Sequence, residues 1–406
     1  MSPREKGARL AARTALLSAI GVTLAFGLLV PVLSVDDSPS YLDPARAWAV
    51  GRGFGGMVER LPLYPFALGV AIWLFGEAPI IFSMLNVACH VGAVLVVRAV
   101  LPPGWRRDLV ATAALVYPPL LTSTGLILQE SLLSLAAAIV FALSWRLLER
   151  PTLARSVAAG TAIGVAALAK TTMLPVAILL ALIVLPPLSG ASLRRAAALL
   201  LVTAAVLLPW GLRNRRVLGY FAVTNGNGGL AMLGGTVSNN VLPSWYHFRE
   251  YTEARARWER SERWRQPVLD RYLYEVALER IRSDPGRWLG LAVERAFRFM
   301  LPSRQWFFTS GLSRPASFGP WYVLAIGFQA VLFVSVLVVT WRALRERHLR
   351  PALAVAIVVL SHHAAHAISY ASPRYAVAVG PVLFGALALA LSNATVARPA
   401  KPPTSG

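Results

Sequence analysis

Residues 61–76 read LPLYPFALGVAIWLFG, and whether they cross a membrane decides the topology of everything around them. The block is apolar, but it is short and holds Pro62 and Pro65. A helix rises about 1.5 Å per residue, so about 20 residues are needed to cross about 30 Å of hydrocarbon. The arginines settle the matter. Longer or comparable apolar blocks lie at roughly 14–34, 79–101, 108–126, 128–148, 155–169, 172–187, 195–212, 319–341, 351–369 and 375–392. If 61–76 does not cross, Arg4, Lys6, Arg9 and Arg13 share a side with Arg106 and Arg107, and with Arg146, Arg150 and Arg155. Arg194, Arg195, Arg342, Arg345, Arg347 and Arg350 fall on that side too. Basic short loops mark the cytoplasmic side. The block therefore reads as a juxtamembrane helix on the outer face. Residues 41–50, with Tyr41, Leu42, Ala45, Trp48 and Ala49 at helical spacing, read as its companion.

This pattern predicts an all-α polytopic membrane protein of about ten transmembrane helices, with outer juxtamembrane helices and one modest periplasmic segment. Composition agrees: the 406 residues are 56% hydrophobic and only 15% charged. The net charge of +21 is accounted for by topogenic arginine on short loops. Nucleic-acid binding would need a soluble basic face, which the pattern lacks. The single cysteine, Cys89, lies inside an apolar block, so a disulfide framework is excluded. No small-residue cleavage pattern precedes Asp36, so the first block reads as an uncleaved span.

Four parts are expected. Residues 1–212 form an N-terminal transmembrane core with a first outer loop at 35–78. Residues 213–318 form a periplasmic segment, 319–392 the C-terminal transmembrane helices, and 393–406 a disordered tail. Within the periplasmic segment, 267–283 is an amphipathic helix, with Leu269, Tyr272, Leu273, Val276 and Ile281 on one face. Asp284 is placed to cap the next helix, with Pro285 as its first residue. Residues 285–300 then carry Trp288, Leu289, Ala292, Phe297 and Phe299 among Arg287, Arg295 and Arg298, as a helix on lipid headgroups does.

The chemistry-bearing residues gather on the outer side. Asp36 and Asp37 sit where the first block meets water, followed by Tyr41, then Gly51-Arg52-Gly53-Phe54, then Arg60-Leu61-Pro62-Leu63-Tyr64-Pro65. A carboxylate at a bilayer edge costs far less than one at its centre. Glu130 opens another block, where an acid also suits the helix dipole. Pro209-Trp210-Gly211-Leu212-Arg213-Asn214, with Gly219 beyond, puts Arg213 at the outer edge against the positive-inside trend. A guanidinium there can fork onto phosphate oxygens. Pro373-Arg374-Tyr375, followed by Pro381, opens the last block in the same way. Lys170 lies between two short blocks and either faces an anion or snorkels outward. His362 and His366 have the i, i+4 spacing of metal ligands, but no carboxylate motif accompanies them. Asn225-Gly226-Asn227-Gly228-Gly229 lacks the Lys of a phosphate-binding loop.

These elements, in this order, resemble the GT-C superfamily of polyprenyl-phosphate-sugar-dependent membrane glycosyltransferases. The likeness is to the branch of protein O-mannosyltransferases, aminoarabinose transferases and RgtABCD-like enzymes. The P-W-x-x-R-N-x4-G run at 209–219 matches that family residue for residue. The resemblance implies Asp37 as the catalytic carboxylate, with Asp36 and Glu130 as further acids. It places Arg213 and Arg374 on the carrier phosphate. Lys170 and His366 would stand beside them, and Tyr41, Arg60, Tyr64 and Asn214 near sugar and acceptor. The implied reaction is inverting transfer of a sugar from a polyprenyl-phosphate carrier to a hydroxyl of a glycan, lipid or protein. Asp37 would be the general base, and a divalent cation, where one is used, would be held by Asp36 and Glu130. The implied setting is a bacterial inner membrane, with both termini cytoplasmic and the site periplasmic. The alternative is a transporter or flippase for lipid-linked or anionic solutes. That activity calls for ionisable groups at mid-membrane depth, whereas here the acids cluster at one edge.

Overall fold

In hydrocarbon every backbone N–H needs a partner within its own segment, and each of the ten expected blocks is helical. The computed structural model describes residues 3–30, 32, 34–35, 37–57, 59–219, 221–237, 249–260, 266–301 and 319–392. The first half runs α1 (Pro3–Leu29), α2 (Pro39–Ala49), α3 (Leu63–Phe75), α4 (Pro79–Val100), α5 (Trp105–Val116), α6 (Pro118–Ser123) and α7 (Glu130–Glu149). It continues with α8 (Leu153–Ala167), a 3-10 turn at Thr171–Met173, α9 (Leu174–Val184) and α10 (Gly190–Leu218). Next come α11 (Gly228–Gly234), α12 (Arg249–Arg260), α13 (Gln266–Ser283) and α14 (Pro285–Phe299). The chain ends with α15 (Gly319–Arg345), a 3-10 turn at Arg347–Ala352, α16 (Leu353–Ile368), a 3-10 turn at Pro373–Val379 and α17 (Gly380–Leu391).

Among the described residues, seven helical stretches are long and apolar enough to cross a membrane: α1, α4, α7, Gly190–Val217, Val323–Arg345, Arg347–Ile368 and Arg374–Leu391. Block 108–126 falls short because it is broken at Tyr117-Pro118. Pro118 has no amide proton and forces Tyr117 into extended backbone, φ −63° and ψ 119°. The pair expected to be short is short: α8 has 15 residues and α9 has 11. Block 61–76 forms the 13-residue α3, packed against α2. Asp284 caps α14 as expected, its Oδ1 accepting from the Arg287 amide at 2.9 Å. The expected tail, 393–406, lies outside the described residues.

Ion pairs and hydrogen bonds gather one set of helix ends. The ends of α1, α8 and α16 meet the starts of α7, the Thr171 turn and the Pro373 turn at one end of the bundle. Hydrogen bonds knit this end together. Ser38 Oγ donates to the Ile127 carbonyl at 3.0 Å, and the Leu63 amide to the Leu168 carbonyl at 3.1 Å. Away from the bundle core, α11, α12 and α13 share a separate small core of Leu230, Leu233, Tyr251, Ala254, Leu273 and Ala277.

The turn after α8 is carried by a close helix crossing. A Cβ built on Gly160 would lie 2.5 Å from the Leu199 carbonyl oxygen, and one on Gly164 would lie 2.7 Å from Val206 Cβ. Small residues four apart let two helix backbones approach where apolar burial gives no drive for association. Thr203 Oγ1 completes the contact by donating to the Gly160 carbonyl at 3.1 Å. Because the atom met is backbone, Gly160→Val should separate α8 from α10 and destabilise by about 1–3 kcal/mol. Thermal unfolding of the detergent-purified protein measures this, with Ala162→Val as the control on the same helix.

Candidate active site

Asp37 sits in the turn before α2, and the turn is held at several points. The Val35 amide donates to Ser38 Oγ at 2.9 Å, the Ser38 amide to the Val35 carbonyl at 2.7 Å, and Ser40 Oγ to the Asp37 carbonyl at 2.6 Å. The side chain is therefore aimed inward, where each carboxylate oxygen meets a guanidinium. Oδ1 accepts from Arg60 Nη2 at 2.6 Å, and Oδ2 accepts from Arg374 Nη2. Arg374 also brings Nε to 3.5 Å from Glu130 Oε1, at the first residue of α7. Glu130 is buried, and its Oε2 has no partner among the described residues. Arg60 is steadied by Ser40 Oγ, which accepts from Nε at 2.7 Å, and lies over the Tyr41 ring at 4.6 Å.

Lys170 adds a third cation. Its Nζ lies 3.3 Å from the centroid of the Tyr375 ring, and Arg374 covers the same ring at 5.2 Å. Burial pushes the Lys170 ammonium down to about 7, against the pull of Glu130. Burial also acts to raise the Asp37 carboxyl, but Arg374 and Arg60 together outweigh it and hold Asp37 below its ordinary value. Five charged groups from four separate parts of the chain thus share one place, three cations to two anions.

The histidines lie behind Tyr375. His362 Nε2 lies 3.0 Å from the Tyr375 carbonyl, which can only accept, so Nε2 carries the proton and Nδ1 accepts from Thr172 Oγ1 at 2.8 Å. His366 Nδ1 donates to the Tyr370 carbonyl at 2.8 Å, and its ring stacks on Tyr375 at 4.4 Å. These three nitrogens are occupied, whereas His366 Nε2 and His363 Nδ1 have no partner among the described residues. Among the described residues, no group of three His, Cys, Asp or Glu is arranged to hold a metal ion. Of the two residues expected to hold a divalent cation, Asp36 lies outside the described residues and Glu130 keeps Oε2 without a partner among them.

The other expected site residues are placed as follows. Asp36 lies outside the described residues. Tyr41 and Tyr64 are fully buried, edge to face at 5.3 Å, with Tyr64 donating to Asn86 Oδ1 at 3.3 Å; they support the site from beneath. Arg213 does not join the ion-pair cluster. Nη1 donates to the Met57 carbonyl at 2.8 Å, Nη2 to the Gly55 carbonyl at 2.5 Å, and the group lies over Trp210 at 4.7 Å. It fastens the first loop to the end of α10. Asn214 helps by accepting from Arg213 at 2.9 Å and donating to the Ala222 carbonyl at 2.6 Å. Sequence reading passed over Asn86, whose Nδ2 donates to the Leu126 carbonyl at 2.8 Å and so holds the turn before Glu130. Its signal was a carboxamide inside an apolar block, where such a group must find a partner.

No family model and no curated protein matches the chain. Solved structures do resemble it. An oligosaccharyltransferase from Archaeoglobus fulgidus, in complex with Zn and sulfate, superposes at a TM-score of 0.52 and 14% identity, over 93% of this chain and 48% of that one. The likeness is one of fold, an all-helical arrangement with several helices long and apolar enough to cross a membrane. Archaeal AglB from the same organism, with an inhibitory peptide and a dolichol-phosphate, gives 0.49 and 14%, over 92% of this chain and 50% of that one. ArnT from Cupriavidus metallidurans, bound to undecaprenyl phosphate, gives 0.38 and 17%, over 90% and 77%. The chain spans about half the length of the oligosaccharyltransferases it resembles.

Removing Arg374 leaves part-buried Asp37 with Arg60 alone and takes from buried Glu130 its ion-pair partner among the described residues. Arg374→Met should therefore destabilise the protein by about 2–4 kcal/mol. Adding Asp37→Asn should recover at least about 1 kcal/mol of that loss, because the two residues are coupled. Thermal unfolding across the double-mutant cycle measures the coupling.

Proposed function

We propose that this protein is a membrane glycosyltransferase that moves a sugar from a polyprenyl-phosphate carrier to an acceptor hydroxyl at the outer face. The supporting observation is the meeting of Asp37 and Glu130 with Arg374, Arg60 and Lys170 at one end of the bundle. A lipid-linked sugar needs such a place: apolar helix flanks for the isoprenoid, cations for the phosphate and carboxylates for the hydroxyls. The solved structures with dolichol-phosphate and undecaprenyl phosphate bound agree with a partner of this class.

On this reading, the acceptor oxygen attacks the anomeric carbon as the carrier phosphate leaves, and the configuration inverts. The acceptor proton passes to Asp37. Arg374 and Lys170 take the phosphate and offset the charge that grows on it. Phosphate competing for Arg374 also loosens the hold on Asp37, which makes that carboxylate a stronger base once the donor is in place. Glu130, with one oxygen free among the described residues, orients a hydroxyl of sugar or acceptor. Arg213 keeps the loop 51–60 over the site and reaches the carrier phosphate when the loop moves. Asp36 and His366 serve beside Asp37 and Tyr375. The segment 213–318 stands on the outer face, with the transmembrane parts 1–212 and 319–392 beneath it and both termini on the cytoplasmic side of a bacterial inner membrane.

The decisive experiment is transfer from labelled polyprenyl-phosphate sugars by the protein in liposomes. Asp37→Asn should lose about 10²–10⁴-fold in rate while remaining folded; an undiminished rate would remove Asp37 as base. A second expectation follows from Lys170. With a pKa of about 7 in the free protein, it gains a proton when an anion binds beside it. Polyprenyl-phosphate affinity should fall as pH rises through 7 to 9, and Lys170→Gln should flatten that dependence. The orientation is tested by labelling single cysteines in a Cys89→Ser background. Arg52→Cys should react with an impermeant reagent on intact cells, and Leu188→Cys should not.

A further inference from the structure

The helix α14 buries Ala292, Arg295 and Phe299. Arg295 is the unusual member. It is 4% exposed, yet no carboxylate pairs with it among the described residues. Burying a guanidinium without a counter-charge is costly, so its contacts matter. Nε donates to the Ala367 carbonyl at 2.7 Å and Nη1 to the Gly235 carbonyl at 2.8 Å, while Nη2 has no partner among the described residues. Ala367 is in the last turn of α16 and Gly235 follows α11, so the cation sits against two helix C-termini, where the dipoles favour it. A methionine would be easier to bury. The guanidinium instead fixes the angle between two carbonyls. The backbones are close at the same point: a Cβ on Gly235 would lie 2.3 Å from the Ser369 oxygen.

One turn further along, Phe299 touches the same corner. Its ring stacks on His366 at 5.5 Å with planes 22° apart, and meets His363 edge-on at 4.7 Å. His363 in turn bonds the Ala296 backbone of α14. His366 stacks on Tyr375, and Tyr375 carries Lys170 and Arg374 on its ring. A continuous column therefore runs from the buried face of α14 to both cations.

We propose that α14 is the positioning arm of the site: Arg295 and Phe299 hold the 367–375 corner and so set how Arg374 and Lys170 are presented to an anionic ligand. The ligand half of this statement rests on the carrier-phosphate reading above; the half concerning the corner stands without it.

The test uses the full chain in nanodiscs, with Arg295→Met, Arg295→Lys, Phe299→Leu and Arg374→Ala. Hydrogen exchange reads the corner directly. Arg295→Met should speed amide exchange over 369–379 at least about tenfold, with α4 and α7 unchanged, and Arg295→Lys should restore part of the protection. Phe299→Leu should act in the same direction, which keeps the test open if the arginine variant fails to fold. Undecaprenyl phosphate binding reads the consequence. Arg295→Met should weaken it about tenfold in the wild-type background and less than about twofold beside Arg374→Ala, because the two act through one contact. Unchanged exchange over 369–379 would overturn the proposal, as would a loss of binding fully additive with Arg374→Ala. If the unmutated protein does not bind undecaprenyl phosphate, the carrier reading falls, and exchange alone decides whether α14 holds the corner.

Discussion

The guanidinium of Arg374, shared between Asp37 and Glu130, is the contact on which the rest of the molecule depends. It joins residues 337 positions apart in the chain. Charges at the edge of a low-dielectric slab must be paired or stay in water. Pairing these three fixes the exit of α1, the entry of α7 and the turn into α17 relative to one another. Arg60 and Lys170 then extend the cluster, and their excess of positive charge leaves it short of one anion. That imbalance gives the place a use for a negatively charged ligand.

Much of the surrounding structure holds backbone turns that carry these groups. Ser38 and Asn86 tie the first loop and the turn before Glu130 to neighbouring segments. The glycine-lined crossing of α8 and α10 delivers Lys170. None of these polar groups faces the site. Each satisfies a carbonyl or amide that irregular backbone at membrane depth would otherwise leave bare. Rigid turns at one end of a helical bundle are thus the frame, and the ionic cluster is what the frame presents.

Four arginines divide by what they touch. Arg374 and Arg60 meet carboxylates, whereas Arg213 and Arg295 meet carbonyls. On the proposed reading, an incoming anion competes with the present partners of the first pair. The second pair acts as clasps, one closing the first loop onto α10 and the other closing α14 onto α16.

The sequence alone determined the helices and their order. Long apolar runs cannot avoid helical structure in hydrocarbon, and arginine placement sorted their ends into two groups. It also pointed to Asp37, Glu130, Lys170 and Arg374, since an ionisable group at the end of an apolar run is conspicuous. It did not reveal that Arg60 would share Asp37, that Arg213 would turn to the backbone of residues 55 and 57, or that Arg295 would be buried. Those outcomes depend on which helix ends become neighbours. A guanidinium bonds a carboxylate, a carbonyl or a phosphate with the same fork, so its residue type is silent about the partner. Only the packing of the bundle, which decides which oxygen comes within about 3 Å, makes that choice.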